Sequence, residues 1–345
     1  MKAAVYYTND DVRIEERDVP AIGPGEALIR IRASGVCGSD VMEWYRAAKA
    51  PLVLGHEIAG TIEAVGDGVT KVAPGDRVVV THHVPCNTCK YCLRGHFSAC
   101  DSLRSTKLEP GGFTEFARIP ALQVDRGIVP IPDRVSFDDA SFFEPLGCVV
   151  HGMDRAGMRP GFSVAVIGSG ITGLLFIALA KATGAGRIVA TDVVRSRLEA
   201  ATRFGAGAVI HGTEEDVPAR VREETDGRGA DVVAICTAAV PAIRQGLESV
   251  DRGATVLFFA PTEPGVEVPF HLWPLWLDDI TMTTAYAAAP RDLAVAAELI
   301  RSGRVPVADM ITHRLPLDEA AEGFRLVAEG RESIKVILRP FPDGE

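Results

Sequence analysis

No long run of basic residues occurs in this 345-residue chain, and its formal net charge is −10. That balance excludes a nonspecific nucleic-acid binder, which needs a cationic face to neutralise phosphates. No unbroken apolar segment is long enough for a membrane span. The most apolar stretch, 163–182, is interrupted by glycines and Thr172 and reads as strand, turn and helix. Residues 1–5 do not resemble a secretory signal, because 6–11 turn polar before any apolar region develops. Internal repeats and low-complexity segments are missing too. The expectation is a cytoplasmic protein with neither nucleic acid nor membrane as partner.

What is present is an ordinary globular composition, 47% hydrophobic and 24% charged, in a chain long enough for two domains. Seven cysteines in a chain without a secretory signal point to a reducing compartment, where clustered thiols serve metals more often than disulfides.

The first part of the chain is β-rich. Segments 2–7, 12–16, 27–33, 58–65 and 77–80 carry alternating or β-branched character, with Pro24-Gly25, Gly66-Asp67-Gly68 and Pro74-Gly75-Asp76 as breakers. Short strands at such intervals suggest a barrel or sandwich. From 162 onward strands and helices alternate. Strands are expected at 163–167, 187–191, 208–210, 231–235, 254–259 and 280–284, with helices at 171–183, 195–204, 217–224 and 241–250. Six strands with interleaved helices describe an α/β fold, an open parallel sheet of the Rossmann type. An amphipathic helix with Leu293, Ala296, Ala297 and Ile300 on one face follows, then a helix at 318–328 and a strand at 334–338. The last residues, 341–345, are expected to fray.

Three constellations carry chemistry. Cys86, Cys89, Cys92 and Cys100 have the spacing C-x2-C-x2-C-x7-C. Four thiolates in a short loop close a tetrahedral zinc site with no open position, which makes that zinc structural; a redox pair with two spare thiols is the competing reading. Gly168-Ser169-Gly170-Ile171-Thr172-Gly173 is a GxGxxG between an apolar strand and a helix. There the glycines allow a tight turn and a close approach of pyrophosphate to the helix N-terminus. Asp192, about twenty residues on, can accept hydrogen bonds from the adenosine ribose and would repel a 2′-phosphate, which favours NAD over NADP. Arg195 and Arg197 would soften that preference, unless they only face solvent. Finally Cys37, His56 with Glu57, and Glu144 before Pro145 supply thiolate, imidazole and carboxylate, the donor types of a catalytic zinc with an open coordination position. Their structural alternatives are a buried thiol, a core histidine and a helix-start residue.

Cys37-Gly38-Ser39-Asp40, Gly55-His56-Glu57, the four-cysteine lobe, Gly111-Gly112-Phe113-Thr114-Glu115, Glu144-Pro145-Leu146 and the GxGxxG occur in the order found in the medium-chain, zinc-dependent alcohol dehydrogenase family. The chain resembles that family over essentially its whole length. It is nearest the polyol (sorbitol or iditol) and threonine dehydrogenase branch, which has Glu-Pro where other alcohol dehydrogenases place a cysteine. The resemblance implies a chaperonin-10-like catalytic domain from 1–147 and 287–345, with an NAD-binding domain, 148–286, inserted between. It implies Cys37, His56 and Glu144 as ligands of a catalytic zinc, Glu57 as a neighbouring or exchangeable ligand, and Ser39 as the hydroxyl that begins proton removal. Cys148 competes with Glu144 for third ligand, and Cys236 has no assigned role.

Two positions depart from the family pattern. Met42 stands where many relatives carry a relay histidine, and Ala285 precedes Tyr286 where polyol dehydrogenases commonly pair an arginine with the tyrosine. The expected activity is NAD-dependent oxidation of a secondary alcohol, or reduction of the ketone, on a small polyol, sugar or cyclitol. It would use two zinc ions per chain, in a homodimer or homotetramer. A threonine-type amino-alcohol or aminocyclitol dehydrogenase and a non-catalytic zinc- and NAD-binding relative are the alternatives.

Overall fold

A computed structural model describes residues 1–341; the fraying expected at 341–345 falls, from 342 onward, outside the described residues. The chain divides into two compact units, Met1–Gly147 with Ala287–Glu345, and Cys148–Tyr286.

In the first unit the strands are β1 (Lys2–Thr8), β2 (Asp11–Glu16), β3 (Ala27–Val36), β4 (Leu52–Val53), β5 (Glu57–Val65), β6 (Arg77–Val80), β7 (Phe116–Ile119) and β8 (Ile128–Pro130). β1 is the centre of a three-stranded sheet in the order β2-β1-β4. β3 is the spine of the larger sheet, paired antiparallel with β5 along most of its length and with β7 at its start. It outruns the expected 27–33 by three residues. Ser34, Gly35 and Val36 pair with a strand from the far end of the chain, a partner that local sequence cannot reveal. The alternation in β3 and β5 sends Ile29, Ile31, Ile58 and Ile62 into one core with Val78 and Val80. A second core gathers Tyr6, Phe113 and Phe324, whose rings meet at 5.7 and 5.6 Å.

The second unit holds β9 (Ser163–Ile167), β10 (Arg187–Asp192), β11 (Ala208–His211), β12 (Ala230–Ile235), β13 (Val250–Phe258) and β14 (Thr281–Thr284). All are parallel, in the order β11-β10-β9-β12-β13-β14. The order reverses between β9 and β12, and a crevice for ligands opens at the carboxyl ends of the strands beside such a switch point. The helix expected over 241–250 stops at Leu247, and Val250 already opens β13, because Ala230 N donates to Ser249 O and Val250 pairs with Ala230. The apolar run after β9 forms the helix Ile171–Ala182, buried through most of its length.

The chain then returns to the first unit. The helix Pro290–Arg301 buries Leu293 and Ala296. The helix expected at 318–328 begins as a single 3₁₀ turn, Leu317–Glu319, and continues as Ala320–Glu329. β15 (Ile311–Pro316) pairs parallel with β16 (Lys335–Arg339), and β16 closes on β3 to complete the seven-stranded sheet. No helix among the described residues is long and apolar enough to cross a membrane.

Candidate metal and coenzyme sites

β3 ends at Val36 and delivers Cys37 into a tight turn, in which Asp40 N donates to Cys37 O (2.9 Å) and Cys37 N donates to Asp40 Oδ2 (3.0 Å). His56 is set by Gly55, whose φ of +93° favours glycine and whose missing Cβ would stand 2.7 Å from Gly112 C and Phe113 N. The two glycine stretches of the sequence therefore abut directly in front of β5. This brings the donor atoms of Cys37, His56 and Glu57 within 4.8 Å of one another. Zinc bonds of about 2.0–2.3 Å place donors about 3.3–3.8 Å apart, so a small contraction closes the group round an ion. Thiolate, imidazole and carboxylate suit zinc, and the residues fit the metal.

Asp40 is fully buried, and its Oδ1 lies 3.4 Å from His56 Nδ1, which turns the other ring nitrogen towards the donor group. Burial opposes charge on His56, yet the Asp40 carboxylate and then the Cys37 sulfur hold its pKa well above the usual histidine value. Burial likewise acts to raise the Asp40 pKa, but His56, Arg46 and the Cys37 N–H outweigh it and keep Asp40 below the usual carboxylate range. Metal binding requires a neutral imidazole, so the His56 proton must leave when the ion enters. Arg46 donates to Ser39 O (2.8 Å) and to Ser39 Oγ (3.1 Å), which fixes the hydroxyl two residues after Cys37. Glu57 is held by Lys335, both side chains being 1% exposed, so lysine and metal compete for that carboxylate.

Glu144 lies in the first turn of the helix Phe143–Ala156 and is 5% exposed. Its carboxylate is not grouped with Cys37 and His56. It groups instead with His82 and His83, donor atoms again within 4.8 Å. The two groups adjoin, since the His56 and His82 rings are 4.8 Å apart and the His82 and His83 rings 3.6 Å. Sequence reasoning passed over both histidines; the signal was an adjacent His pair three residues before Cys86. The chain leaves β6 at Thr81, whose hydroxyl accepts from His83 N (3.1 Å), a turn that presents the two rings. Burial, then His83, His56 and Arg46, push the His82 pKa well below the usual value. Burial and then His56 push His83 down to about 3. Cys148 belongs to none of the donor groups among the described residues.

The thiols of Cys86, Cys89, Cys92 and Cys100 converge within 4.8 Å, with Cys89 and Cys92 sulfurs 3.6 Å apart. Backbone N–H groups of Thr88 and Cys89 donate to Cys86 Sγ and that of Cys86 to Cys100 Sγ, which stabilises thiolates. The Thr88 hydroxyl and these N–H groups lower the Cys86 pKa to about 5, while burial pushes Cys92 up to about 12. Four sulfurs so placed fit a closed tetrahedral zinc.

After β9, Gly168 takes φ +93°, and a Cβ on Gly173 would collide with Gly168 O. Gly170 caps the helix Ile171–Ala182 without a side-chain hydrogen bond, so the first-turn N–H groups of Ile171, Thr172 and Gly173 have no side-chain cap. That cradle fits a pyrophosphate. Asp192 ends β10. Its Oδ2 accepts from Ser169 N (2.8 Å) and its Oδ1 from Val194 N (2.9 Å), with Arg197 Nη1 3.7 Å away. The carboxylate thus braces the glycine turn, a role the spacing alone did not suggest, and keeps lone pairs for a ribose.

Residues 23–133 match the alcohol dehydrogenase GroES-like domain, and residues 172–302 match the zinc-binding dehydrogenase domain. The chain is 32% identical to a sorbitol dehydrogenase of Gallus gallus, covering 99% of this chain and 96% of that protein. It is 33% identical to an erythritol/L-threitol dehydrogenase of Mycolicibacterium smegmatis (strain ATCC 700084 / mc(2)155), covering 99% and 98%. Among solved structures, the alcohol dehydrogenase TADH from Thermus sp. ATN1 superposes with a TM-score of 0.87 at 32% identity, over 98% of this chain and 99% of that one.

Proposed function

The chain belongs to the zinc-binding alcohol dehydrogenase family, and we propose that it oxidises a secondary alcohol of a polyol, sugar or cyclitol to the ketone with NAD, and catalyses the reverse reduction. The observation that carries this reading is the gathering of Cys37, His56 and a carboxylate in a chain that also builds an uncapped glycine turn after β9. The polyol names of the relatives support the substrate class.

The catalytic zinc would be held by Cys37 and His56 with a carboxylate, either Glu144, whose donor group adjoins theirs, or Glu57, already grouped with them as an exchangeable donor, and when bound it supplies the Lewis acidity that lowers the pKa of the substrate hydroxyl. NAD, when bound at Gly168–Gly173 and Asp192, is the hydride acceptor. The carbinol carbon loses its hydrogen with both electrons, the hydroxyl loses its proton, and a C=O bond forms. Asp40 keeps His56 oriented and its other nitrogen free for the metal. Ser39 Oγ, accepting from Arg46, keeps its own proton for exchange with the substrate oxygen. Arg46 has no acceptor and cannot take the proton onward, and Met42 cannot either, so water carries it out.

A second, structural zinc would be held by the four thiolates of Cys86, Cys89, Cys92 and Cys100. NAD is preferred over NADP because a 2′-phosphate would meet the Asp192 carboxylate. The chain assembles with copies of itself through the open β14 edge and the helix Leu272–Leu277 beside it, where Leu272, Trp273, Trp276 and Leu277 are 61–68% exposed. With Phe270 and Met282, 48% and 41% exposed, these residues supply the kind of exposed apolar patch that marks an interface between protein chains.

NADH formation from sorbitol, xylitol, erythritol, an inositol and threonine tests the reading in zinc-loaded protein. Turnover of at least one polyol or cyclitol above threonine is expected; turnover of threonine alone would overturn the substrate class, and no turnover with zinc and NAD both bound would overturn the activity.

A further inference from the structure

We propose that the second unit carries a further small-molecule site, at the end of its sheet away from the glycine turn, which takes an organic carboxylate with a short apolar body. The site needs neither zinc nor NAD, and it does not depend on which alcohol is oxidised.

A cavity of about 310 Å³ opens there, at the lower end of the range of small-molecule sites, about 300–1,000 Å³. Leu247, Val250, Leu275 and Ile280 give it an apolar floor, and the exposed Arg222 and Arg244 stand at its rim. Val250 opens β13 and Ile280 directly precedes β14, so the cavity lies at the amino ends of these parallel strands. The glycine turn follows the opposite, carboxyl end of β9, where Ile167 is level with Ile235 of β12. β12 pairs with Val250 at Ala230 and with Phe258 at Ile235, and five residues at about 3.3 Å each put roughly 16 Å of sheet between the two ends. A small molecule in the cavity therefore does not reach the coenzyme turn.

The helix Val240–Leu247 brings Arg244 and Leu247, three residues apart, to the cavity together. Arg222 comes from the helix Val217–Glu223 and is fixed by donating to Glu248 O (2.7 Å). Arg244 has neither an ion pair nor a side-chain hydrogen bond among the described residues. The carboxylates that also line the cavity do not cancel the two guanidiniums: Asp278 is bridged by Arg252 (3.4 Å), and Glu248 leaves one positive charge in excess. An arginine in open solvent needs no partner, but this one edges an apolar hollow that offers water few hydrogen bonds. A planar fork of N–H donors above such a hollow selects a carboxylate whose apolar remainder goes inward. The helix Leu272–Leu277 keeps this site apart from the exposed patch: Pro274 and Leu275 line the cavity, and Leu272, Trp273, Trp276 and Leu277 do not.

Calorimetric titration of the zinc-loaded protein with 3-phenylpropionate and 4-methylpentanoate tests the site, with 3-phenylpropan-1-ol and acetate as controls. At least one of the two carboxylates should bind, once per chain. The alcohol, which lacks the charge, and acetate, which lacks the apolar body, should each bind about 10-fold more weakly or worse. Arg244→Gln should weaken the carboxylate by about 10–100-fold, and Leu275→Trp, which fills the hollow, should abolish its binding. Affinity should be unchanged by saturating NAD and in His56→Ala, which removes a ligand of the catalytic zinc. Loss of binding under either condition would put the carboxylate in the coenzyme crevice or on that metal and overturn the proposal. Binding of neither carboxylate to wild type overturns it too, as does wild-type affinity in Arg244→Gln or in Leu275→Trp.

Discussion

Lys335 and Glu57, 278 residues apart in sequence, form a buried ion pair with side chains 1% exposed, beside the metal-donor group. β16 brings the lysine and β5 the glutamate to opposite sides of β3, where Ile337 and Glu57 both pair with Gly35. A Cβ at Gly35 would collide with the Glu57 carboxylate and stand 2.7 Å from Lys335 Cε, so the pair exists because that position has no side chain. Lys335 also donates to Val36 O (3.1 Å), the residue before Cys37.

Removing one partner of a buried pair leaves an uncompensated charge. Lys335→Met should therefore lower stability by about 3–5 kcal/mol in denaturant unfolding of the metal-free protein. Adding Glu57→Gln in the same chain should recover most of the loss. A double variant as unstable as Lys335→Met would mean that the lysine acts through packing rather than charge.

Elemental analysis should find two zinc ions per chain in wild type and one in His56→Ala, with the fold retained. Glu144→Ala should likewise fall to one, whereas Glu57→Gln should keep two, since Glu57 is already engaged by Lys335. The reverse pattern would make Glu57 the third ligand. Ser39→Ala should keep both ions and slow turnover by about 10²-fold.

Zinc uptake by the four-cysteine lobe should release protons, and fewer than four of them. Cys92, with a pKa raised to about 12, is a thiol at pH 7.5 and must give up its proton to bind. Cys86, lowered to about 5, is already a thiolate there and releases none. As pH falls through about 5, Cys86 takes up a proton and zinc must displace that one as well, so affinity should weaken more steeply below that point. Indicator absorbance in weakly buffered, zinc-free protein checks the count; four protons at pH 7.5 would contradict the thiolate at Cys86.

Wild type should show a higher kcat/KM with NAD than with NADP. Asp192→Ala should weaken NAD binding by ~10-fold or more and shrink the preference. The variant should also lose some stability, because Ser169 N and Val194 N lose their acceptor. A preference that survives in Asp192→Ala would assign discrimination elsewhere, with Arg197 at 3.7 Å the first position to change.

Whatever depends on residues close in sequence was legible before the fold was known. The four lobe cysteines lie within fifteen positions, so their spacing alone announces convergent thiols. The glycine turn is read between one strand and the next helix, and the alternation of apolar strands with helices leads to a parallel six-stranded sheet because each element shows its own period. Tertiary structure decided everything that needed two distant segments to meet. It lengthened β3 to Val36 by supplying β16 as a partner, and set Lys335 against Glu57. It gave Asp192 a second task beneath the glycine turn, and it grouped Glu144 with His82 and His83 instead of with Cys37 and His56. A donor type is a property of one side chain, but which donors share a site is fixed by sheet register and by the turns between strands, which no single stretch of sequence contains.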